Sequence, residues 1–357
     1  MSDKQVLGLI YGGKSSEHEV SLRTAFSILQ AIDYDKWTVI PLYIQLDGMW
    51  VEGSSLQKPP SAVAELRLAT NRHPDLLKLK ETVDVVFPVV HGPYGEDGTL
   101  QGLLEMIDVP YVGSGVLGSS LGMDKVMMKR MFALHNLPHG EYLAYTRQEI
   151  DKRLESICTE IEAQLGYPVF VKPANLGSSV GINKAKNEKQ LVKALTEAAA
   201  FDHKVIVEAF INGRELEIGV LGNDADKLQT SAVGEIVSTA EFYDYESKYK
   251  DGGAELFIPA KIPERVANEM AQLAKEAFLA LDCAGLARVD FFWDEKEDQL
   301  YLNEINTMPG FTEYSMYPLL FKKTGVSYQE LVETLIQLGL ERFREKKKIR
   351  VIAPSLE

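Results

Sequence analysis

Residues 286–306 read LARVDFFWDEKEDQLYLNEIN, a stretch that predicts a β-hairpin with an oxygen-rich face. Side chains alternate along a strand, so Arg288 and Asp290 share one face, as do Glu304 and Asn306. The polar run DEKEDQ between the two halves predicts the turn. Pairing of the strands would bring together the oxygens of Asp290, Glu304 and Asn306, and hard cations such as Mg²⁺ prefer such ligands. We interpret the hairpin as a metal site; a solvated hairpin face is the alternative, disfavoured by the apolar neighbours.

A second stretch, VFVKPANLGSSVGI at residues 169–182, predicts a phosphate-binding loop. A strand delivers Lys172, and the loop after it carries glycines together with Ser178 and Ser179. Small residues let backbone N–H groups approach phosphate oxygens closely, and the lysine adds a positive charge. Glycine and serine alone would fit an ordinary flexible loop. The buried lysine favours a loop that closes over phosphates.

A third stretch, VIVEAFINGRELEI at residues 205–218, places Glu208 at the end of a very apolar strand and Glu215 at the start of the next. Carboxylates in these positions suit ribose hydroxyls or the amino group of adenine, with Phe210 as a hydrophobic wall. Each acid alone also fits a surface position at a strand end. The nucleotide interpretation therefore depends on the other two stretches.

The first third of the chain predicts alternating short strands and helices, and hence a doubly wound parallel sheet. Residues 50–79 interrupt this order as an irregular insertion containing three prolines. Later strands are of the type found in antiparallel pairs, and the chain ends in a helix with a charged, solvated end. The predicted strands are 5–11, 38–44, 83–90, 167–173, 204–210, 215–221, 231–238, 285–293 and 299–306, and the predicted helices are 20–32, 124–135, 187–200, 264–282 and the tail after residue 327.

Composition narrows the class of protein. The 357 residues are 45% hydrophobic and 25% charged, as in soluble globular proteins of two or three domains. A net charge of -14 disfavours nucleic acid or an anionic membrane as partner. The two cysteines, Cys158 and Cys283, are too far apart for a zinc or redox pair. With no signal peptide or membrane span in the sequence, a cytoplasmic location is expected.

Two short motif matches are rejected on context. GLIYGGKS at residues 8–15 satisfies the Walker A letters, but its middle positions continue an apolar strand instead of forming a loop. GSGVLG at residues 113–118 matches the dinucleotide-binding GxGxxG pattern, but the strand before it is short and contains Pro110, and no convincing acid follows. A P-loop NTPase and a nicotinamide oxidoreductase remain the less favoured classes.

Eight blocks occur in the order expected of the D-alanine–D-alanine ligases, and the chain resembles this family of the ATP-grasp superfamily over nearly its whole length. The blocks are GGKSSEHEVSLRTA, VVFPVVHGPYGEDGTLQG, MDKVMMK, VFVKPANLGSSVGI, VEAFINGREL, EFYDYESKY, GLARVDFF and NEINTMPGFTEYS. The resemblance implies an α/β and α+β chain with the ATP-grasp fold. It divides into an N-terminal doubly wound parallel-sheet domain at 1–122, a central lobe at 123–210 and a C-terminal lobe at 211–357.

The resemblance also implies roles for individual residues. ATP contacts are implied for Lys125, Lys172, Ser179, Glu208, Ala209, Phe210, Ile211, Glu215 and Lys248, and two Mg²⁺ ions, replaceable by Mn²⁺, for Asp290, Glu304 and Asn306. Catalytic roles are implied for Glu17, Ser178, Tyr249, Arg288, Gly310 and Ser315, and substrate contacts for His91, Ser315 and Met316. Glu17 would bind the ammonium of the first D-alanine. Ser16 and Glu19 beside it also match a helix capping box.

By this resemblance, ATP activates one D-alanine as an acyl phosphate and a second D-alanine attacks it, in a homodimeric enzyme. Tyr249 favours D-alanine as the nucleophile, and residues 243–253 are predicted to close as a lid. The alternatives left open are a D-alanyl-D-lactate or D-alanyl-D-serine ligase, another ATP-grasp ligase or carboxylase, and a catalytically inactive ATP-binding sensor.

Overall fold

Three sheets and their covering helices make up the computed structural model, which describes residues 4–177, 180–238 and 254–349. The strands are β1 (Gln5–Gly12), β2 (Trp37–Ile44), β3 (Trp50–Glu52), β4 (Val85–Pro88), β5 (Tyr142–Thr146), β6 (Val169–Pro173), β7 (Asn183–Ala185), β8 (Lys204–Ala209), β9 (Arg214–Gly222), β10 (Gln229–Ser238), β11 (Ala254–Phe257), β12 (Gly285–Asp294) and β13 (Gln299–Asn306). The helices are α1 (His18–Ala31), α2 (Thr99–Met106), α3 (Val116–Met123), α4 (Lys125–Leu134), α5 (Arg147–Leu165), α6 (Glu188–Phe201), α7 (Glu264–Ala280), α8 (Met316–Lys323) and α9 (Tyr328–Lys347).

The N-terminal sheet has the order β3-β2-β1-β4, in which β1 pairs in parallel with both β2 and β4 and the edge strand β3 is antiparallel. Alternate β1 side chains enter two different cores. Leu7 and Leu9 pack with α1, whereas Ile10 packs with α2. Helices therefore cover both faces of the sheet, as the prediction of a doubly wound sheet requires.

The segment 50–79, predicted to be an irregular insertion, is tied to this sheet. It contains β3 and the 3₁₀ turn Val63–Leu66, and it ends within a second 3₁₀ turn, Leu76–Glu81. Leu66 and Leu79 are buried, and the Leu66 carbonyl accepts a hydrogen bond of 2.9 Å from the buried Tyr11 hydroxyl. The insertion thus extends the N-terminal core.

The central sheet, in the order β5-β8-β6-β7, is antiparallel throughout and packs against α5 and α6. Asn187 caps α6, because its side chain accepts a hydrogen bond from the Gln190 N–H. The prediction left residues 142–165 unassigned, although Thr146 and Glu149 form a complete capping box at the start of α5.

The C-terminal sheet, in the order β11-β10-β9-β12-β13, contains the predicted hairpin. β12 and β13 are antiparallel with Asp290 opposite Glu304 and Arg288 opposite Asn306, so the hairpin and its shared face are confirmed. Helix α4 packs between two units: Met128 and Phe132 enter the core of this sheet, whereas Val126 packs with Ala174 and Ile206 of the central unit.

The capping box predicted at Ser16 and Glu19 is wrong. Glu17, not Ser16, occupies the N-cap of α1 and makes no side-chain capping bond. Glu19 pairs instead with Arg67, which lies 48 positions along the chain. The last helix, α9, joins the N-terminal and C-terminal units, because its buried residues share one core with α1 and with Leu286 of β12. The loops that follow β1, β4, β6 and β13 meet at one place, because Gly92 and Gly177 lie against Glu17 and His91 contacts the Met308 carbonyl.

Candidate active site

The face of the β12–β13 hairpin that is turned away from the apolar core holds a clamped arginine between carboxylates. Arg288 donates from Nε and Nη2 to the two oxygens of Asp290, at 2.7 and 2.8 Å. Its Nε also lies 3.1 Å from Oε2 of Glu217 on the neighbouring strand β9. Burial alone lowers the pKa of Arg288, but both acids outweigh it, and the pKa is raised. The guanidinium is therefore fixed, and its Nη1 has no partner among the described residues.

The oxygen donors predicted to hold a metal lie on this same face. Lys125 Nζ lies 3.8 Å from Oε2 of Glu304, and Oδ1 of Asn306 accepts a hydrogen bond of 3.1 Å from the Met308 N–H. Within the described residues, no group of three His, Cys, Asp or Glu side chains could hold a metal ion. The predicted set has only two carboxylates, with an amide as third donor. That set fits Mg²⁺, which usually takes one or two carboxylates and completes its shell with phosphate oxygens and water.

A buried carboxylate with two lysines lies beside this face. Oε2 of Glu208 is 2.5 Å from Nζ of Lys172, and Oε1 is 3.1 Å from Nζ of Lys129 on α4. Burial alone raises the pKa of Glu208, yet the two lysines outweigh it and hold the pKa at about 2. Lys125 points elsewhere, donating to the Leu176 carbonyl at 2.7 Å. The loop after β6 is thus joined to α4.

The segment after β8 forms a short apolar wall. Phe210 is 38% exposed, and Nζ of Lys184 lies 4.2 Å from the centroid of its ring. The N–H groups of Ala209 and Phe210 donate to backbone carbonyls, whereas Ile211 N–H has no partner among the described residues. Glu215 lies just inside β9, opposite Phe292 of β12. The wall offers an aromatic face beside an available backbone donor.

Three loops converge on the carboxylate of Glu17. A methyl group built on Gly92 would lie 2.5 Å from Oε2 of Glu17, and one on Gly177 would lie 3.1 Å from it. The carboxylate therefore lies between the HGPYG loop after β4 and the Gly/Ser loop after β6. A side chain at either position would press on this carboxylate, and Gly92 also has a φ of 78°, which favours glycine.

His91 links these loops to the segment after β13. Its ring is buried, with Nε2 3.0 Å from the Thr24 hydroxyl and Nδ1 3.2 Å from the Met308 carbonyl. Burial alone lowers the pKa of His91, but Glu96 at 3.5 Å outweighs it, and the pKa is raised. A protonated ring would donate to both partners. This geometry favours a positioning role over direct substrate contact.

The segment 308–316 brings a helix N-terminus to the same place. A methyl group on Gly310 would lie 3.4 Å from the Ser315 hydroxyl, which accepts a hydrogen bond of 3.0 Å from the Thr312 N–H. Ser315 is the N-cap of α8, and the N-terminus of a helix favours a carboxylate. The Met316 side chain is buried against Gly234 of β10, so only its backbone faces this end.

Comparison with known proteins decides the family. Residues 6–114 match the family model "D-ala D-ala ligase N-terminus", and residues 131–337 match "D-ala D-ala ligase C-terminus". The chain belongs to the D-alanine–D-alanine ligase family. It is 51% identical over 360 residues to the D-alanine–D-alanine ligase of Geobacillus kaustophilus, covering 97% of each chain, and 50% identical over 357 residues to that of Bacillus cytotoxicus, covering 96% of this chain and 98% of the relative.

Solved structures agree on the fold. The D-alanine–D-alanine ligase of Coxiella burnetii matches with a TM-score of 0.80 and 31% identity over 97% of each chain. The VanG D-Ala:D-Ser ligase of Enterococcus faecalis matches with a TM-score of 0.81 and 32% identity, covering 94% of this chain and all of that one. The fold is the ATP-grasp fold, as predicted, and the chain is an enzyme of the ligase class.

Four residues singled out by the family resemblance lie outside the described residues: Ser178, Ser179, Lys248 and Tyr249. The proposed lid at 243–253 lies outside them as well. Every other predicted residue is described and lies on one of the surfaces above. Their roles in this member of the ligase family stay predictions.

Sequence reasoning missed three ionic residues of this ligase: the buried Lys129 and Glu217 and the partly buried Glu96. A signal existed for Lys129, because it lies one helical turn after Lys125 in MDKVMMK and so shares its face. Glu217 likewise lies two positions after Glu215 on β9. Nothing local distinguishes Glu96, whose partner His91 is recognisable only once the HGPYGED loop is folded.

Proposed function

We propose that this enzyme joins two D-alanine molecules to D-alanyl-D-alanine through a D-alanyl phosphate, releasing ADP and phosphate, as a supplier of peptidoglycan precursor. Relatives about 50% identical over nearly the full length carry this name, which supports the proposal. One structural observation carries it. The clamped Arg288 and the oxygens of Asp290, Glu304 and Asn306 share one face, so an electrophile and a nucleotide phosphate would meet there.

ATP is proposed to lie between the central and C-terminal lobes. The wall at Phe210 suits the adenine ring, the Ile211 N–H suits a ring nitrogen, and Glu208 and Glu215 suit the amino group or the ribose hydroxyls. Lys125, Lys172 and Lys248, together with the backbone near Ser179, would contact the phosphates.

Two Mg²⁺ ions, replaceable by Mn²⁺, are proposed at Asp290, Glu304 and Asn306. When bound, they supply positive charge that offsets the repulsion between the triphosphate and the attacking carboxylate. Arg288 holds Asp290 in place, and Lys125 balances Glu304 before any ion binds.

The two D-alanine molecules are proposed to bind at the convergence of the loops. Glu17 would pair with the ammonium of the first, supported by Ser178 and Tyr249, while His91 keeps the loop in position. Ser315, with the Met316 backbone at the start of α8, would receive the carboxylate of the second. Their orientation lowers the entropic cost of the reaction.

The tetrahedral intermediate carries a negative oxygen that needs fixed donors. Arg288 Nη1 has no partner among the described residues and lies on a guanidinium that Asp290 immobilises, so it can donate without reorganisation. The Gly310 N–H is the second proposed donor. A lid at 243–253 would exclude water from the acyl phosphate.

The remaining parts of the proposal concern organisation. We expect the three domains at 1–122, 123–210 and 211–357, a homodimer, and small-molecule substrates without nucleic acid or membrane. The need for ATP makes the cytoplasm the expected location. No helix in the described ranges is long and apolar enough to cross a membrane.

Phosphate release with ATP, Mg²⁺ and either D- or L-alanine tests this function. Release with D-alanine alone, and a D-alanyl-D-alanine product, are expected. Phosphate release that does not require D-alanine, or no phosphate release at all, would contradict the assignment. The match to the VanG D-Ala:D-Ser ligase favours D-serine as the second candidate nucleophile. Competition of D-alanine with D-serine and with D-lactate, measured across pH, distinguishes the three nucleophiles.

A further inference from the structure

Glu208 is contacted by a different lysine at each oxygen. Oε2 is 2.5 Å from Lys172 and Oε1 is 3.1 Å from Lys129, and all three side chains are buried. Lys172 is a proposed phosphate ligand, and its single positive charge cannot fully compensate both Glu208 and a phosphate. The buried carboxylate would then need another cation, because an uncompensated buried charge is strongly unfavourable.

We propose that Lys129 is a positioning residue whose charge stays with Glu208 when Lys172 turns from this carboxylate to a nucleotide phosphate. The proposal rests on the ATP site of the proposed function. Lys129 is suited to the role because it is only 3% exposed and is held a second time, donating to the Asn303 carbonyl of β13 at 3.4 Å.

Neither Lys125 nor Lys172 can take this role. Lys125 donates to the Leu176 carbonyl and lies toward Glu304, so it is directed away from Glu208. Lys172 is the residue that must be released. Lys129 lies on α4, which packs in the C-terminal core, whereas Lys172 lies on β6 of the central sheet. The counter-ion and the lysine that must be released therefore lie on different elements.

Dissociation constants of ADP with Mg²⁺ and of adenosine, measured by calorimetry, test the role of Lys129. Lys129→Met is expected to weaken ADP binding by about tenfold or more, because the release of Lys172 then leaves the buried Glu208 carboxylate without a counter-ion. Adenosine has no phosphate for Lys172 to bind, so the affinity of the enzyme for adenosine is expected to change by less than about threefold. Lys129→Gln has the same expected pattern and replaces Lys129→Met if that variant does not fold.

The double-mutant cycle with Glu208→Gln gives the decisive comparison. With a neutral side chain at 208, the loss of Lys129 is expected to change the ADP affinity by less than about threefold. Lys193→Met, which removes an exposed charge of α6, is the matched control and is expected to leave both affinities unchanged.

Two results would overturn the inference: equal weakening of ADP and adenosine, which indicates a merely structural lysine, or an additive cycle. A wild-type enzyme that binds neither ADP nor adenosine would instead overturn the ATP site itself.

Discussion

Asp290 and Glu304 face each other across the hairpin but lie in different surroundings. Both oxygens of Asp290 are bound by Arg288, whereas the Glu304 side chain is 30% exposed and its contact with Lys125 is long, at 3.8 Å. A long, partly exposed ion pair contributes about 1 kcal/mol or less to stability. Glu304 is also the more exposed of the two carboxylates, which makes it the better residue for testing the metal site.

Glu304→Gln is expected to lower kcat by at least about 100-fold, because an amide is a poorer Mg²⁺ ligand than a carboxylate. The melting midpoint Tm should move by less than about 4 °C. Steady-state kinetics and a thermal melt measure the two effects. Glu295→Gln in the exposed hairpin turn is the control, and retained activity in Glu304→Gln would contradict the metal site.

Glu208 should make stability depend on pH. Its folded-state pKa of about 2 is below the ordinary 4.5, so the stabilisation by its ionised form is complete above about pH 5 and disappears as the pH falls toward 2. Glu208→Gln is therefore expected to lower Tm at pH 7, and its deficit relative to wild type should shrink on acidification. A deficit that is equal at pH 7 and pH 3 would contradict the ion-pair account.

At the scale of elements, regular periodicity was the reliable guide. β13 was predicted at its observed bounds, because its side chains alternate and turn residues flank it. The capping-box signature was ambiguous. It marks the start of α5 at Thr146 but fails at Ser16, because Glu19 forms an ion pair with Arg67, which is distant in sequence. A local signal fails where a partner remote in sequence competes for the same side chain.

Helix α8 depends on a glycine of the sheet below it. A methyl group on Gly234 would lie 2.7 Å from Cδ2 of Leu320 and 2.9 Å from Sδ of Met316. Both contacts are closer than van der Waals packing allows, so the Leu320 and Met316 side chains, and with them the helix that they anchor, must adjust. Ser315 at its N-terminus would shift with it.

Gly234→Ala is expected to raise KM for the second D-alanine severalfold, with a smaller effect on KM for ATP, and to cost about 1–3 kcal/mol of stability. Substrate titrations of the ligase reaction measure the two constants. Gly102→Ala on α2 is the control, since its methyl group meets no atom within 4 Å. Equal effects of both variants, or an unchanged KM for D-alanine, would count against the proposed role of α8.

For the whole molecule, the contacts between units were beyond the reach of sequence reasoning. The charged end of α9 was predicted to be solvated, and its lysines are indeed half-exposed, yet Lys346 pairs with Glu105 and Lys347 with Asp108. The Lys347 and Asp108 positions are 239 apart in the chain. No local pattern specifies such a pair, because its geometry exists only after the two units have docked.

The docking of α9 suggests a test of how the two halves of the D-alanine site are aligned. A methyl group on Gly339 would lie 2.8 Å from the Tyr111 carbonyl oxygen and 3.1 Å from the Val112 nitrogen. These are backbone atoms and cannot turn aside, so α9 would have to move away from the N-terminal unit. Glu17 belongs to that unit, whereas Arg288 belongs to the C-terminal sheet.

Gly339→Ala gains about 1 kcal/mol of helix propensity, but the clash should outweigh this gain and lower Tm. KM for D-alanine is expected to rise several times more than the dissociation constant of ADP, because the proposed nucleotide site lies between the other two lobes. Glu341→Ala, an exposed change on the same helix, controls for α9 itself. If Gly339→Ala impaired ADP and D-alanine binding equally, the alignment of the D-alanine site would not depend on this contact.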